Sequence, residues 1–182
     1  MQIIDWDHFI KNGINIKEKA SMTIGIFDGV HRGHQALIER VVSHNKDFIP
    51  AVVTFRENHK TGSRDDIQSF QERLAAFEKF GVQIVIVIDF TDEFKKMPGK
   101  DFLETLLKHG NTGFFAVGTN FRCGCNLDTD AEKIKNFFTS QKISAEIVPE
   151  VLESGLPISS SRIRAAIAAG DMELAERMLG RG

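Results

Sequence analysis

At 182 residues, with a formal net charge of -2 and a pI near 6.3, the chain is long enough for one full core and offers no electrostatic case for nucleic acid or a membrane surface as its main partner. Its two cysteines, Cys123 and Cys125, stand one residue apart. That spacing excludes a disulfide framework, argues against a structural zinc site and favours a reducing, cytoplasmic setting. The first residues carry no visible signal peptide, and no apolar run reaches membrane-spanning length.

Residues 1–20 read as a lead-in, a short edge element followed by a polar connection from Lys11 to Lys19. Met22-Thr23-Ile24 begins a buried strand, and Leu37, Ile38, Val41 and Val42 repeat as one face of a helix. Between them lies Gly25-Ile26-Phe27-Asp28-Gly29-Val30-His31-Arg32-Gly33-His34. A strand-to-helix turn leaves the first helical N–H groups unpaired, and the helix dipole there favours an anion. Gly29 and Gly33 allow tight turning and close approach of a ligand, while His31 and His34, three apart, share a helix face. Either histidine alone would serve as well as a cap or a surface residue. Their place behind a buried first strand is what points to phosphate.

A second buried strand follows at Phe48–Phe55, then a polar, glycine-containing loop from Arg56 to Asp66. Ser69-Phe70-Gln71-Glu72 is a capping box that opens a helix ending at Gly81. The apolar, β-branched run Val82–Phe90 suits only a strand covered on both faces, as in a parallel sheet. A helix over Asp101–Lys108, a strand over Phe114–Gly118, a helix from Thr129 to Lys142 and a more alternating, edge-like strand over Ile143–Val148 complete the rhythm. The expectation is a doubly wound α/β domain of about five parallel strands, spanning residues 1–182. Its ligand crevice lies beyond the carboxyl ends of the first and fourth strands, which are followed by Gly25–His34 and by Gly118-Thr119-Asn120-Phe121-Arg122.

Ile158-Ser159-Ser160-Ser161-Arg162-Ile163-Arg164 opens a further helix that ends at Gly170, and Asp171–Leu179 forms a short last one. Serines at a helix start supply caps and hydroxyl donors; arginines supply planar forks for phosphate oxygens. A plain cap with a solvated turn would explain Ser159 and Ser160 alone, whereas the whole cluster reads as a second phosphate clamp. Neither G-x-x-x-x-G-K-[ST] nor G-x-G-x-x-G follows the first strand, which disfavours P-loop and dinucleotide-oxidoreductase chemistry. No nucleophilic couple and no metal cluster stand out.

These residues resemble the adenylyltransferase module of bacterial FAD synthetases, within the wider His-x-Gly-His nucleotidyltransferases. Gly25–His34 is similar to the family's first motif, Gly118–Gly124 to its G-x-[ND]-F-x-F-G segment with Cys123 in place of an aromatic, and Ile158–Arg164 to its ISSTxIR motif with Ser161 for threonine. Where the family carries T-F-x-P-H-P, this chain has Thr54-Phe55-Arg56-Glu57-Asn58-His59-Lys60. No riboflavin kinase motif occurs.

The resemblance implies a Rossmann-like fold and the reaction of FMN with ATP to give FAD and pyrophosphate, with Mg²⁺ accompanying ATP. It places His31, His34, Asn120 and Arg164 at the chemistry. Gly25, Phe27, Asp28, Gly29, Gly33, Ser159, Ser160, Ser161 and Arg162 would line ATP and its phosphates, and Phe55, His59 and Phe121 the flavin side. A related enzyme with another phosphate acceptor, or a non-catalytic flavin- or nucleotide-binding protein, stays open at this stage. The oligomeric state is not legible.

Overall fold

In a computed structural model, residues 1–57 and 66–181 are described. The expected strand–helix alternation runs as β1 (Gln2–Asp5), α1 (Trp6–Asn12), β2 (Ala20–Ile24), α2 (Arg32–Val42), β3 (Ile49–Phe55), α3 (Phe70–Lys79), β4 (Ile84–Ile88), α4 (Gly99–His109) and β5 (Thr112–Gly118). A small ribbon of β6 (Arg122–Cys123) and β7 (Thr129–Asp130) then leads into α5 (Ala131–Ser140) and β8 (Ser144–Val148). The chain continues through a hairpin, β9 (Leu152–Glu153) and β10 (Leu156–Pro157), into α6 (Ser160–Ala168) and α7 (Met172–Leu179).

Six strands form one parallel sheet in the order β1-β4-β3-β2-β5-β8. Period-two alternation divides its side chains between two cores. Met22, Ile24, Val53, Ile84, Ile86, Phe115 and Val117 face one side, where Phe9 of α1, Phe102 and Leu106 of α4, and Ile134 and Phe138 of α5 cover them. Val52, Val85, Val87, Phe114 and Ala116 face the other, under Leu37, Ile38 and Val41 of α2 and Leu74 and Phe77 of α3. Both faces are therefore dry, as the unbroken apolar run Ile84–Ile88 requires. Helices α6 and α7 bury a third, smaller cluster of their own that includes Ile163, Ala175 and Met178.

Strand order reverses at β2, which pairs with β3 on one side and β5 on the other. The crevice beyond β2 and β5 is thus the topological switch point. The capping box forms as read, with Ser69 Oγ accepting from Glu72 N–H and the Glu72 carboxylate accepting from Ser69 N–H. Asp130, Ser159 and Asp171 cap α5, α6 and α7 by accepting the N–H of Lys133, Arg162 and Leu174, without the reciprocal bond.

The lead-in supplies the expected short edge element as β1, which pairs with β4 and makes six strands where about five were expected. It also holds α1, a seven-residue helix whose buried face is Trp6 and Phe9. So short a helix offers too few turns for a 3.6-residue period to show.

Candidate active site

The turn after β2 is wound tightly. Phe27, Gly29 and Val30 adopt φ of 58°, 84° and 36°, a left-handed run that a bulky and a β-branched side chain tolerate only when packing enforces it. Phe27 is fully buried, edge-on to Phe77 at 5.4 Å and to His34 at 5.2 Å. The wound turn delivers His31 to the N-cap of α2, where its Nδ1 accepts the His34 N–H at 3.3 Å. As the acceptor, Nδ1 carries no proton, so the neutral ring carries its proton on Nε2. The two imidazoles stack at 3.6 Å. His34 Nδ1 is buried and meets no hydrogen-bond partner among the described residues.

Both rings are held neutral. Burial takes His31 from its ordinary 6.5 down to about 4. His34 is lowered well below 6.5, first by burial and then by the charges of His31 and Arg73. A histidine whose folded pKa is depressed stabilises the fold fully above the unfolded value and loses that contribution as pH falls toward the folded one. Thermal stability should therefore decline between pH 6.5 and about 4. His31→Asn keeps a capping acceptor and removes the titrating ring, so its melting temperature should fall less steeply over that window. Equal slopes for the two proteins would show that His31 plays no part in the decline.

The second clamp closes on Asp28. Its side chain is 3% exposed; it receives Arg164 Nη1 at 2.7 Å and the N–H groups of Ile67 and Gln68 at 2.8 and 3.3 Å. Ser160 Oγ donates to the Asp28 carbonyl at 2.9 Å. The three serines thus divide their work. Ser159 caps α6, Ser160 ties α6 to the first turn, and Ser161 is exposed at the cavity. Arg164 also lines the cavity and retains donors beyond the one given to Asp28.

Between these groups and the sheet end lies a cavity of about 520 Å³. One end is polar, with His31, Gly33, His34, Ser159, Ser160, Ser161 and Arg164, the starts of α2 and α6 converging on it. The other is apolar, with Phe55, Phe90, Phe94, Met97, Phe102, Phe121 and Cys123. Burial pushes the Cys123 thiol up to about 12, so it is protonated and packs as a small apolar group. At the mouth, the Asn120 amide donates to the Glu150 carboxylate, which leaves Asn120 Oδ1 as an acceptor suited to a hydroxyl.

Gly25, Phe27, Asp28, Gly33, Phe55, Asn120 and Phe121 all line this cavity with the histidines, the serines and Arg164. Gly29 does not: a Cβ there would meet the Ile67 side chain at 3.1 Å, so this glycine serves the turn and its packing. Arg162 also lies apart. Its guanidinium donates to the carbonyls of Leu156, Pro157 and Glu153, stapling the β9–β10 hairpin to α6. Residues two apart point to different faces of a helix, so Arg162 and Arg164 cannot serve one ligand together. His59 lies outside the described residues.

Sequence reasoning missed two residues, Arg73 and Glu150. Arg73 reads as an ordinary solvated helix residue after Glu72, yet it is 1% exposed and bound to three main-chain carbonyls. Glu150 follows the last sheet strand with no motif around it. Among the described residues no helix is long and apolar enough to cross a membrane.

A family model described as FAD synthetase matches residues 13–162. The bifunctional riboflavin kinase/FMN adenylyltransferase of Pseudomonas fluorescens is 31% identical over 166 residues, covering 87% of this chain and 53% of that protein. The FAD synthetase of Listeria monocytogenes is 30% identical over 169 residues, covering 88% of this chain and 68% of that protein. The crystal structure of a protein named macrolide-efflux protein, from Streptococcus pneumoniae, superposes with a TM-score of 0.85 at 28% identity, over 99% of this chain and 60% of that one. The chain spans about half the length of the bifunctional relatives it matches.

Proposed function

Since this chain belongs to the FAD synthetase family, we propose that it is an FMN adenylyltransferase, transferring AMP from Mg-ATP to FMN to give FAD and pyrophosphate. A phosphate oxygen of FMN attacks the α-phosphorus of ATP. One P–O bond forms there as the bond to the β-phosphate bridging oxygen breaks, and pyrophosphate carries away the electron pair. Both reacting groups are supplied by substrates, so no protein nucleophile is required. Catalysis rests on in-line positioning and on donors that meet the charge growing on pyrophosphate.

The observation that carries this reading is the two-ended cavity. Its polar end joins two helix starts, two stacked neutral imidazoles and an arginine fork, the equipment for a triphosphate. Its apolar end presents phenylalanines, a flat surface for a fused-ring substrate. His31 offers Nε2–H to the phosphates, Ser161 and Arg164 grip them from α6, and Asn120 Oδ1 takes a ribose hydroxyl. Phe55 and Phe121 border the isoalloxazine ring. Mg²⁺ enters with ATP as part of the substrate, held largely by phosphate oxygens and water. The chain works as one adenylyltransferase module in the cytoplasm, with no nucleic-acid partner.

Incubating the protein with Mg-ATP and FMN should yield FAD and pyrophosphate in equal amounts. Phosphopantetheine and nicotinamide mononucleotide should give no adenylylated product, and riboflavin should not become FMN. Transfer to one of those acceptors, with none to FMN, would assign a different nucleotidyltransferase reaction. Absence of transfer to any acceptor would leave a binding protein.

A further inference from the structure

Arg73 stands at the start of α3, and its side chain is buried. Nη1 donates to the Ile26 carbonyl at 2.6 Å and to the Phe55 carbonyl at 3.1 Å, and Nη2 donates to the Arg56 carbonyl at 2.8 Å. Strands β2 and β3 pair in register up to Ile24 opposite Val53. Beyond that point they part: β2 turns into the left-handed phosphate turn, while β3 runs on to Phe55. The guanidinium fills the fork and holds both branches.

Neighbouring groups reinforce the same junction. Thr54 Oγ1 donates to the Ile26 carbonyl at 3.2 Å. The Phe70 ring is approached by two guanidinium groups, Arg56 at 5.4 Å and Arg73 at 5.2 Å from its centroid. Arg56 is tethered in turn to Asp5 and Asp89, at 2.5 and 2.8 Å. A desolvated cation is an expensive way to fill space, since an apolar side chain of similar volume packs a core at lower cost. What an apolar side chain cannot do is hold two diverging strand ends by their carbonyls. Ile26 lines the cavity beside the phosphate turn, and Phe55 lines its apolar end.

We propose that Arg73 is a positioning residue for adenylyl transfer, a brace at the β2–β3 fork that sets the spacing between the triphosphate end and the acceptor end of the cavity. This rests on the reading of the chain as an FMN adenylyltransferase. Each end keeps its own ligand contacts when the brace is weakened, so ground-state binding of either substrate changes little. The distance and angle from the FMN phosphate oxygen to the α-phosphorus are what suffer.

Arg73→Lys keeps a cation but loses the planar fork that reaches both branches. In the full chain its kcat for FAD formation should fall by about tenfold or more, in line with the rate lost when reacting groups are misplaced. Dissociation constants for FMN, from flavin fluorescence, and for a non-hydrolysable ATP analogue, from calorimetry, should stay within about threefold of wild type. A wild-type kcat overturns the proposal, as does a fall in kcat that merely follows the lost binding or the lost folded fraction. Should Arg73→Lys not fold, Thr54→Val carries the test, because it removes the second donor to the Ile26 carbonyl without disturbing a buried charge. Reduced kcat with both affinities kept then supports the brace, and unchanged kcat overturns it. A wild-type chain that makes no FAD would remove the underlying reading instead, and is recognised before any variant is made.

Discussion

Replacing His34 by alanine should abolish most pyrophosphate release from FMN plus Mg-ATP while leaving a folded protein that still binds FMN. The ring sits in the first turn of α2, stacked on His31 at 3.6 Å and edge-on to Phe27 at 5.2 Å, with a buried Nδ1 that has no hydrogen-bond partner among the described residues. Removing the ring costs roughly 2–3 kcal/mol in lost contacts and in the space left behind, too little to unfold a domain with two sheet-wide cores. Its loss from the site is larger. On the proposed reading the neutral imidazole presents a fixed dipole to the phosphates, and a donor that strengthens as charge moves onto the leaving group acts on kcat. Loss of one such donor lowers kcat on the order of a hundredfold or more. Circular dichroism and FMN titration establish that the variant is folded, and a pyrophosphate assay reads the effect. Equal release by wild type and His34→Ala would remove His34 from the chemistry.

Arg164 should show two separable losses. Asp28 is the point where the first turn, the segment before α3 and the start of α6 meet, and Arg164 is its cationic partner at 2.7 Å. Arg164→Ala removes a charge-assisted bond worth about 2 kcal/mol at a buried carboxylate, trimmed by the partial exposure of the arginine. It also removes the cavity-lining fork that the proposed reading assigns to the triphosphate, so KM for ATP should rise by roughly tenfold or more. Arg164→Lys separates the two effects. An ammonium can keep one bond to Asp28 and restore most of the melting temperature, yet it cannot serve Asp28 and a phosphate with planar geometry. The lysine variant should therefore melt near wild type and still bind ATP poorly. Wild-type ATP kinetics in that variant would reduce Arg164 to a strut for Asp28.

What the sequence revealed and what it hid follow one physical distinction. Features carried by local periodicity or by contiguous residues were legible. The β-branched run at Ile84–Ile88, the Ser69–Glu72 box, and the two motifs at the starts of α2 and α6 were each readable within a few positions. Features that depend on where the chain returns were not. Asp28 meets Ser160 and Arg164 across 132 and 136 positions, and nothing local distinguishes it from a turn aspartate. Arg73 looks like any charged residue in an amphipathic helix until the carbonyls of Ile26, Phe55 and Arg56 are seen around it. Arg162 erred the other way: composition grouped it with Arg164, and helical geometry parts them.

The latch at Asp28 also orders events in time. All six strands of the sheet are complete by Val148, whereas Ser159, Ser160, Ser161 and Arg164 come later. A nascent chain that has emerged only as far as β8 holds the residues of every sheet strand, of both principal cores and of the imidazole pair. It still lacks the α6 wall of the cavity. Because domains assemble from the N-terminal side during synthesis, the scaffold is laid down first. On the proposed reading, the capacity to grip nucleotide from both sides is the last property this part of the chain acquires.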